Sequence, residues 1–551
     1  MIDQIQLLES RMTCLKSDAS SWIDHYRQIS RYLLPRNGLF FEENNNTRGE
    51  RKNQYIIDSS ATRALRVSAS GMKSDLISPS RKWFSLEIED KDLMKYRPAA
   101  SWIDEAIAIT HAKINASNVH RVTHTMYEEL FGYGVSAAFK AKSFDKVVIL
   151  QHLAIGTYYI AANYNGDVDT LYREFYKSVA QVVKEFGIEN VTNNTRSMFQ
   201  RGQLDKQILI RHAVEPREDR DTKSYSVKDK KWKSCYWEPA GHNGKYLRES
   251  GFDNFEFIVA RWSTNGNNVY GDSPGMDALG DIIQLQNAQY RNSQAIDYMV
   301  RPPLQIPISM RNRDNQFFPG GASYYDPAGG VSGGVKTAFD VNIDLQHLLS
   351  DIQDIRNRIN QAFFTDLFQL ISSDDGQRTA YEIASRNQEK ISVIGGVVER
   401  SNTDILDPIV SAFFEACLLG GLFPEPPPEL RGHNINVKYI SILSEAAQSV
   451  DLVNIDRFTA GIGQMAQINP GVLDKYDTDT WVDVYADKLK VDPDLIIDND
   501  KVAIIRQQRA EAQARAQQQQ ALIDAGGLAK NVGEIPDKGN IAAKVMEQMQ
   551  R

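Results

Sequence analysis

The sequence predicts an α+β, mainly helical fold divided among several domains. Three observations predict it. The chain has 551 residues, more than one hydrophobic core fills, so roughly two to four domains are expected. Short alternating runs between about 135 and 262 have the period of strands. Most of the remainder steps its apolar residues by three and four, the period of helices.

Residues 1–34 read as a helix, with Trp22, Ile23, Tyr26, Ile29, Leu33 and Leu34 recurring at helical spacing. Pro35-Arg36-Asn37-Gly38 stops it. A second helix is expected from about Ser59 to Ile77, before Ser78-Pro79-Ser80. Lys82 to Ile88 alternates like a strand, and 99–131 are helical again. Within 135–262, Gln207 to Ile210, Trp232 to Trp237 and Phe255 to Ala260 read as strands, with one helix expected near 173–186.

From residue 271 the pattern changes. Pro274 suits the first position of a helix, and the helical pattern runs to Met299 before Arg301-Pro302-Pro303 breaks it. That helix would be roughly 40 Å long. Its second half is crowded with Gln284, Gln286, Asn287, Gln289, Asn292 and Gln294. A helix with so weak an apolar face is either exposed or packed on polar neighbours. In 302–341, Leu304, Ile306, Ile308 and Met310 alternate as in a strand, and Gly and Pro punctuate the rest of the segment. A second long helix is expected over 343–371, roughly 45 Å. Leu345, Leu348, Ile352, Ile355, Ile359 and Ala362 form a narrow seam on it, of the kind that packs helix on helix.

A polar break, Ser372-Ser373-Asp374-Asp375-Gly376-Gln377, comes next. Thr379-Ala380-Tyr381-Glu382 has the form of a capping box, and its helix could extend to Leu419 with a bend at Gly395-Gly396. Pro424 to Pro428 makes a rigid hinge, and a strand over 435–440 leads into a helical region, 444–490. Residues 501–522 are strong helix formers, ended by Gly526-Gly527 and a weakly structured tail. Two antiparallel helices with a tip between them make a stalk. Alone it would be poorly buried, and a ring of identical stalks would cover it.

Composition excludes several roles. The net charge of −8 argues against a protein that grips nucleic acid, since that grip comes from Lys and Arg neutralising phosphates. It does not argue against one that DNA slides past. Cys14, Cys235 and Cys417 are far apart and odd in number, so no disulfide framework or zinc spacing is expected, and a reducing compartment fits. The first residues carry charges throughout, without a signal-peptide core. No apolar run reaches membrane-spanning length.

Four patterns could carry chemistry, and each has a blander explanation that fits better. Gly330-Val331-Ser332-Gly333-Gly334-Val335-Lys336-Thr337 nearly spells a phosphate-binding loop, but Val335 separates the glycine from the lysine. His120, His124 and Glu128 share a helical face, yet Arg121 sits where a zinc protease needs Glu. Asp494, Asp498 and Asp500 lack the glycine and final Glu of a calcium loop and suit a helix start. Arg506, Arg509 and Arg515 are diluted by Gln and Ala, so self-association fits better than DNA binding. Phe363, Phe364 and Phe368 have the spacing of core or subunit-contact residues. No catalytic residue, cofactor or metal site is expected.

A set of short motifs, in order, resembles the portal, or head-to-tail connector, proteins of short-tailed double-stranded-DNA phages. They include Tyr32 to Gly38, Ile57-Asp58-Ser59-Ser60-Ala61, Ala69 to Leu76, Ser78 to Phe84, Ala260-Arg261-Trp262 and Tyr270 to Gly275. Ala278 to Asp281, Pro302-Pro303, Ala362 to Phe368, Thr379 to Ile383 and Tyr439 to Leu443 complete the set. The resemblance covers about residues 20–510. Ser70 stands where the family often has Ala, and the match is weaker over 310–341 and beyond 522.

The resemblance implies a portal fold assembled as a ring of twelve copies at one capsid vertex. Residues 1–270 and 379–440 would form the wing, 271–301 and 342–371 the stem helices, and 302–341 the clip. Residues 441–525 would form the crown and helical barrel, ahead of the tail at 526–551. Ser372, Ser373, Asp374, Asp375, Gly376, Gln377 and Arg378 would be a tunnel loop facing DNA. Leu304, Ile306, Ile308, Met310, Tyr324 and Tyr325 would meet the tail. The implied partners are further copies of the chain, the major capsid and scaffolding proteins, the terminase large subunit, a tail adaptor and duplex DNA passing without sequence-specific binding. No membrane is implied. The implied location is the virion, with assembly in the host cytoplasm. The sequence's own alternatives are a DNA-packaging nuclease–ATPase and a helical scaffold or adaptor. Mixed charge in the stem (Asp277, Asp281, Asp344, Asp351 and Asp354 beside Arg356 and Arg358) suits a channel in which a strongly basic wall would act as a brake.

Overall fold

The computed structural model describes residues 4–38, 51–88, 90, 93, 96–221, 223–224, 226–239, 245–266, 268–300, 304–305, 336–337, 345–369, 394–430, 432, 435–440, 442–489, 497 and 499–532. Helix and sheet are mixed, as an α+β chain requires. The chain divides into two compact units. The first comprises 1–87, 105–425 and 435–445, and the second 88–104, 426–434 and 446–551.

In the first unit, helix α1 (Gln4–Tyr32) buries Ile5, Leu8, Met12, Leu15, Ala19, Tyr26 and Ile29, steps of three, four and seven that make one apolar stripe. Helix α2 (Ser60–Leu76) comes next, then strand β1 (Phe84–Ile88). Helix α3 (Arg97–Ala116) leads to α4 (Val119–Tyr133). Gly134, at φ 76, ends α4 and turns the chain into β2. A Cβ on Gly134 would lie 2.2 Å from the Gly271 carbonyl, so only glycine permits this backbone crossing.

Two antiparallel sheets come after α4. Strands β2 (Val135–Ser143), β3 (Val147–Leu153) and β9 (Phe257–Arg261) pair in the order β3-β2-β9. Strands β4 (Tyr158–Ala162), β5 (Val168–Ser178), β6 (Gln207–Pro216), β7 (Trp232–Trp237) and β8 (Arg248–Phe252) form a five-stranded meander in chain order. The helix expected near 173–186 is half strand. Residues through Arg173 pair with β4 and residues through Ser178 with β6, and only α5 (Val179–Phe186) is helical. Ser178 and Gln181 form a capping box at the switch. Helix α6 (Asn193–Gln200) packs against α5.

The stalk region begins with Ser273 as N-cap, its oxygen accepting from the Met276 N–H. Helix α7 (Pro274–Asp277) runs through Ala278 into α8 (Leu279–Val300). Strands β10 (Leu304–Gln305) and β11 (Lys336–Thr337) pair antiparallel. Helix α9 (Leu345–Ala362) and a short α10 (Thr365–Gln369) complete the region. The single helix expected over 343–371 is therefore two, because Phe364 takes the left-handed φ of 55 between them. Residues 394–401 are helical through Gly395-Gly396 and pass by a π turn, Asn402–Leu406, into α11 (Asp407–Leu419). Strand β12 (Ile435–Tyr439) pairs with β1.

The second unit is mostly α12 (Ile442–Ile468, which begins in the first), α13 (Thr478–Leu489) and α14 (Asn499–Val532). The region expected to be helical over 444–490 is thus two helices joined by a 3-10 turn, Pro470–Lys475. Helix α14 does not stop at Gly526-Gly527 but runs through them to Val532. Among the described residues no helix is long and apolar enough to cross a membrane.

Candidate functional site

Helices α8 and α9 are the pair that the sequence singles out, and they pack on each other. From α8 the buried residues are Leu279, Ile282, Leu285, Gln286 and Ala295. From α9, Ile352, Ile355 and Ile359 are at most 1% exposed. Leu348 is half-buried and Leu349 is exposed. The side chain of Leu345 lies outside the described residues. The seam is therefore sealed near Ile359 and opens toward residue 348. The far end of α8 matches it, with Tyr290, Ile296, Tyr298, Met299 and Val300 all exposed.

A polar lock fastens the sealed end to the start of α2. The Gln286 carbonyl oxygen accepts the backbone N–H groups of Ile57 and Asp58 at 2.7 and 2.8 Å, and its amide donates to the Asp58 carbonyl at 2.9 Å. Asp58 accepts from the Ser60 N–H and hydroxyl through one carboxylate oxygen. Its other oxygen accepts from Gln289 at 3.1 Å and from Arg356 at 2.8 and 3.1 Å. Burial pushes the Asp58 carboxyl up. The hydrogen bonds from Ser60 and Arg356 and the Arg356 charge outweigh it and hold the group below the ordinary carboxylate range.

Helices α9 and α10 are seated on α2 by small residues. The Ser68 hydroxyl donates to the Phe363 carbonyl at 2.6 Å. A Cβ on Gly71 would lie 2.6 Å from Phe368, so glycine is what lets α10 approach. Phe368 meets Phe131 edge-on, and Phe131 lies 4.5 Å from Trp262 between ring centroids. Phe363, Phe364 and Phe368 thus sit in or against the core. Ser70 is exposed, so its hydroxyl stays in water at no cost in burial.

The stalk's charges are arranged unevenly. Arg358 reaches Asp281 across the helix pair at 3.3 Å, while Asp351 and Asp354 are exposed on α9. Asp344, residues 372–378 expected as a tunnel loop, and Ile306, Ile308, Met310, Tyr324 and Tyr325 lie outside the described residues, as do 379–383. Of the tail-contact set, Leu304 is placed by its backbone, opposite Thr337 in the β10–β11 pair.

The other singled-out patterns separate in the fold. His124 faces Glu128 at 3.7 Å, but His120 turns to Asn115 at 2.6 Å. Burial, with Lys73 and His111 nearby, pushes His120 down to about 4. Lys336 and Thr337 occupy a strand rather than the start of a helix, so the phosphate-loop geometry is absent there. In the second unit, Arg506 forks Asp479 at 2.6 and 2.7 Å, and Arg515 approaches Glu511 at 3.9 Å. Side chains of α14 are exposed almost throughout 501–520.

Sequence reasoning missed the lock. Its parts were in view, as the Ile57–Ala61 motif and the amides of α8, but Asp58 and Arg356 are 298 positions apart. Nothing local announces their meeting.

The family described as bacteriophage head to tail connecting protein matches residues 5–497. The probable portal protein of Bordetella phage BPP-1 is 42% identical over 531 residues, covering 96% of this chain and 95% of that one. The portal protein of Salmonella phage epsilon15 is 35% identical over 517 residues, covering 94% and 92%. A solved virion of a native gene transfer agent particle shares 12% identity over 74% of this chain and 90% of that chain at a TM-score of 0.30, too loose a superposition to argue from. The sequence matches span nearly the whole length, including the stretches that hold the lock at Asp58 and the seat at Gly71. The chain belongs to the bacteriophage head-to-tail connecting family, the portal proteins of phages.

Proposed function

We propose that this portal protein works as a closed ring of twelve copies at one capsid vertex, with the α8–clip–α9 stalks lining a channel for DNA packaging and ejection. One observation carries the reading. A single chain leaves Ile296, Tyr298, Met299, Val300 and Leu349 exposed along the outer half of its stalk. Neighbouring stalks in a ring would cover such a stripe. Helix α14, exposed nearly all round over 501–520, would be covered the same way in a helical barrel.

On this reading 1–270 and 379–440 are the wing, 271–301 and 342–371 the stem, 302–341 the clip, 372–378 the tunnel loop, 441–525 the crown and barrel, and 526–551 a tail beyond it. Exposed Asp351 and Asp354 suit a wall past which DNA slides, since each phosphate held by a cation would add drag. The ring would dock the capsid and scaffolding proteins, then the terminase large subunit, then a tail adaptor. It would act without catalysing a reaction, within the virion and, during assembly, in the host cytoplasm.

Electron micrographs of the purified protein test this. Rings with a central pore wide enough for duplex DNA are expected. A dispersed monomer that hydrolyses ATP would overturn the reading in favour of a packaging enzyme.

A further inference from the structure

The face of the five-stranded sheet that looks toward β2 and β3 carries a row of four residues in register. Arg173 on β5 stands opposite His212 on β6, His212 opposite Tyr236 on β7, and Tyr236 opposite Arg248 on β8. Phe175 and Lys177 continue the same face of β5. His212 is buried and stacks on Tyr236 at 3.7 Å between centroids. Its Nδ1 accepts from Arg173 Nε at 3.0 Å, which leaves the proton on Nε2 to reach Ser234 Oγ, also at 3.0 Å. Burial, with the charges of Arg173, Arg248 and Lys177, holds this imidazole well below its ordinary pKa. The row therefore presents its cations around a neutral centre.

Arg173, Tyr236 and Arg248 of this row, with Phe175 and Lys177, line a half-open cavity of about 660 Å³ that Phe139 and Gln151 bound on its other side, within the size range of ligand sites. Rings support the guanidinium groups. Arg173 lies 5.2 Å from the Phe139 centroid and 4.9 Å from Phe175, and Arg248 lies 4.7 Å from Tyr236. Three cations line the cavity against one carboxylate, Glu185. Glu185 pairs with Lys177 and stands 3.9 Å from Arg248. Phe139, Gly251 and Phe252 are shared with an adjoining hollow of about 320 Å³, so the space is elongated.

We propose that this pocket binds an acidic peptide segment of a separate protein, its carboxylates on Arg248, Lys177 and Arg173 and an apolar neighbour against Phe139 and Phe175. The charge excess calls for an anion, the rings for an apolar group next to it, and the length for an extended chain. Duplex DNA fits poorly, because its phosphates need a strip of cations on an open surface rather than a cavity between two sheets.

The test is fluorescence anisotropy on the full-length protein with a labelled Asp/Glu-rich decapeptide containing one Phe. Binding that falls on the order of tenfold or more in Arg248→Gln and in Lys177→Gln is expected, since each loses a charge-assisted hydrogen bond. The same peptide with amides in place of carboxylates should bind comparably weakly. Glu185→Gln should tighten binding, because it removes the competing carboxylate, and this gain cannot arise from misfolding. Inorganic phosphate and a short duplex should not displace the peptide at matched ionic strength. Absence of binding, indifference to all three variants, or displacement by the duplex would overturn the proposal.

Discussion

Arg356 of α9 places both Nε and Nη2 on one carboxylate oxygen of Asp58, just ahead of α2, at 3.1 and 2.8 Å. The Asp58 side chain is only 8% exposed, and that of Arg356 36%. Asp58→Ala strands Arg356, Gln289 and the Ser60 hydroxyl together. A loss of about 2 kcal/mol is expected, below that of a fully buried pair because Arg356 reaches water. Urea midpoints at pH 7 measure it, and a double-mutant cycle with Arg356→Gln should show coupling rather than additivity.

The same carboxyl gives a pH signature. Its pKa is lowered in the fold, so its contribution is complete above the unfolded value of about 4 and is lost as pH falls through the folded one. Asp58→Asn should narrow the gap to the parent protein as pH drops below about 4. A gap that stays constant in urea titrations from pH 6 to pH 3 would contradict the lock.

Glu129 and His152 set an opposite slope. Glu129 is wholly buried, with one oxygen 2.8 Å from His152 Nε2 and from the Ser136 hydroxyl. Burial raises the Glu129 pKa against the pull of His152. Burial lowers that of His152, and the Glu129 charge and hydrogen bond raise it by more. Both groups hold protons more tightly folded than unfolded, so the Glu129 share declines as pH rises from its unfolded value of about 4.5, while the His152 share is full below about pH 6.5 and falls as pH rises further. Thermal unfolding from pH 6 to pH 9 should show that decline in the parent and a shallower one in His152→Asn.

The seam and the seat have separate signatures. Ile355→Ala should cost about 2–5 kcal/mol. Ile355→Asp should abolish the packing of α8 on α9 by burying a charge, and Leu348→Asp should do less because Leu348 is half-buried. Gly71→Val should cost about 1–3 kcal/mol through overpacking on Phe368. Faster proteolysis in 363–369 than in the rest of the chain would report that α10 has lifted from α2.

Deleting 372–378 should leave assembly intact and impair genome packaging or retention in a complementation assay. Loss of assembly in the deletion variant would mean that these residues hold subunits together rather than face DNA.

Much of the fold was legible because its periods are local. The stripe of α1, the strands β6, β7 and β9, and the helical character of 274–300 and 345–362 follow from residue spacing alone. The failures have physical causes. Residues 173–178 are strand because each pairs in register with β6, continuing a strand that β4 flanks as far as Arg173, and that pairing outweighs local preference; the Ser178–Gln181 capping box marks the true helix start. Phe364 breaks a helix from a conformation that sequence assigns to glycine. Gly526-Gly527 is carried within α14, although each glycine costs about 1 kcal/mol there. At the candidate site the apolar seam was visible and the polar lock was not. Residue spacing leaves Gln286 and Gln289 either exposed or polar-packed, and choosing between those needs Asp58 brought in from 228 and 231 positions away.

The mass of the intact assembly decides whether the chain closes into a ring. Twelve copies of a 62.2 kDa chain give about 750 kDa. Native mass spectrometry at micromolar protein should find that closed species, with Ile355→Asp shifted to monomer. A parent protein that stays at the mass of one chain would contradict the claim, leaving the exposed stripe on α8 and α9 to some other partner.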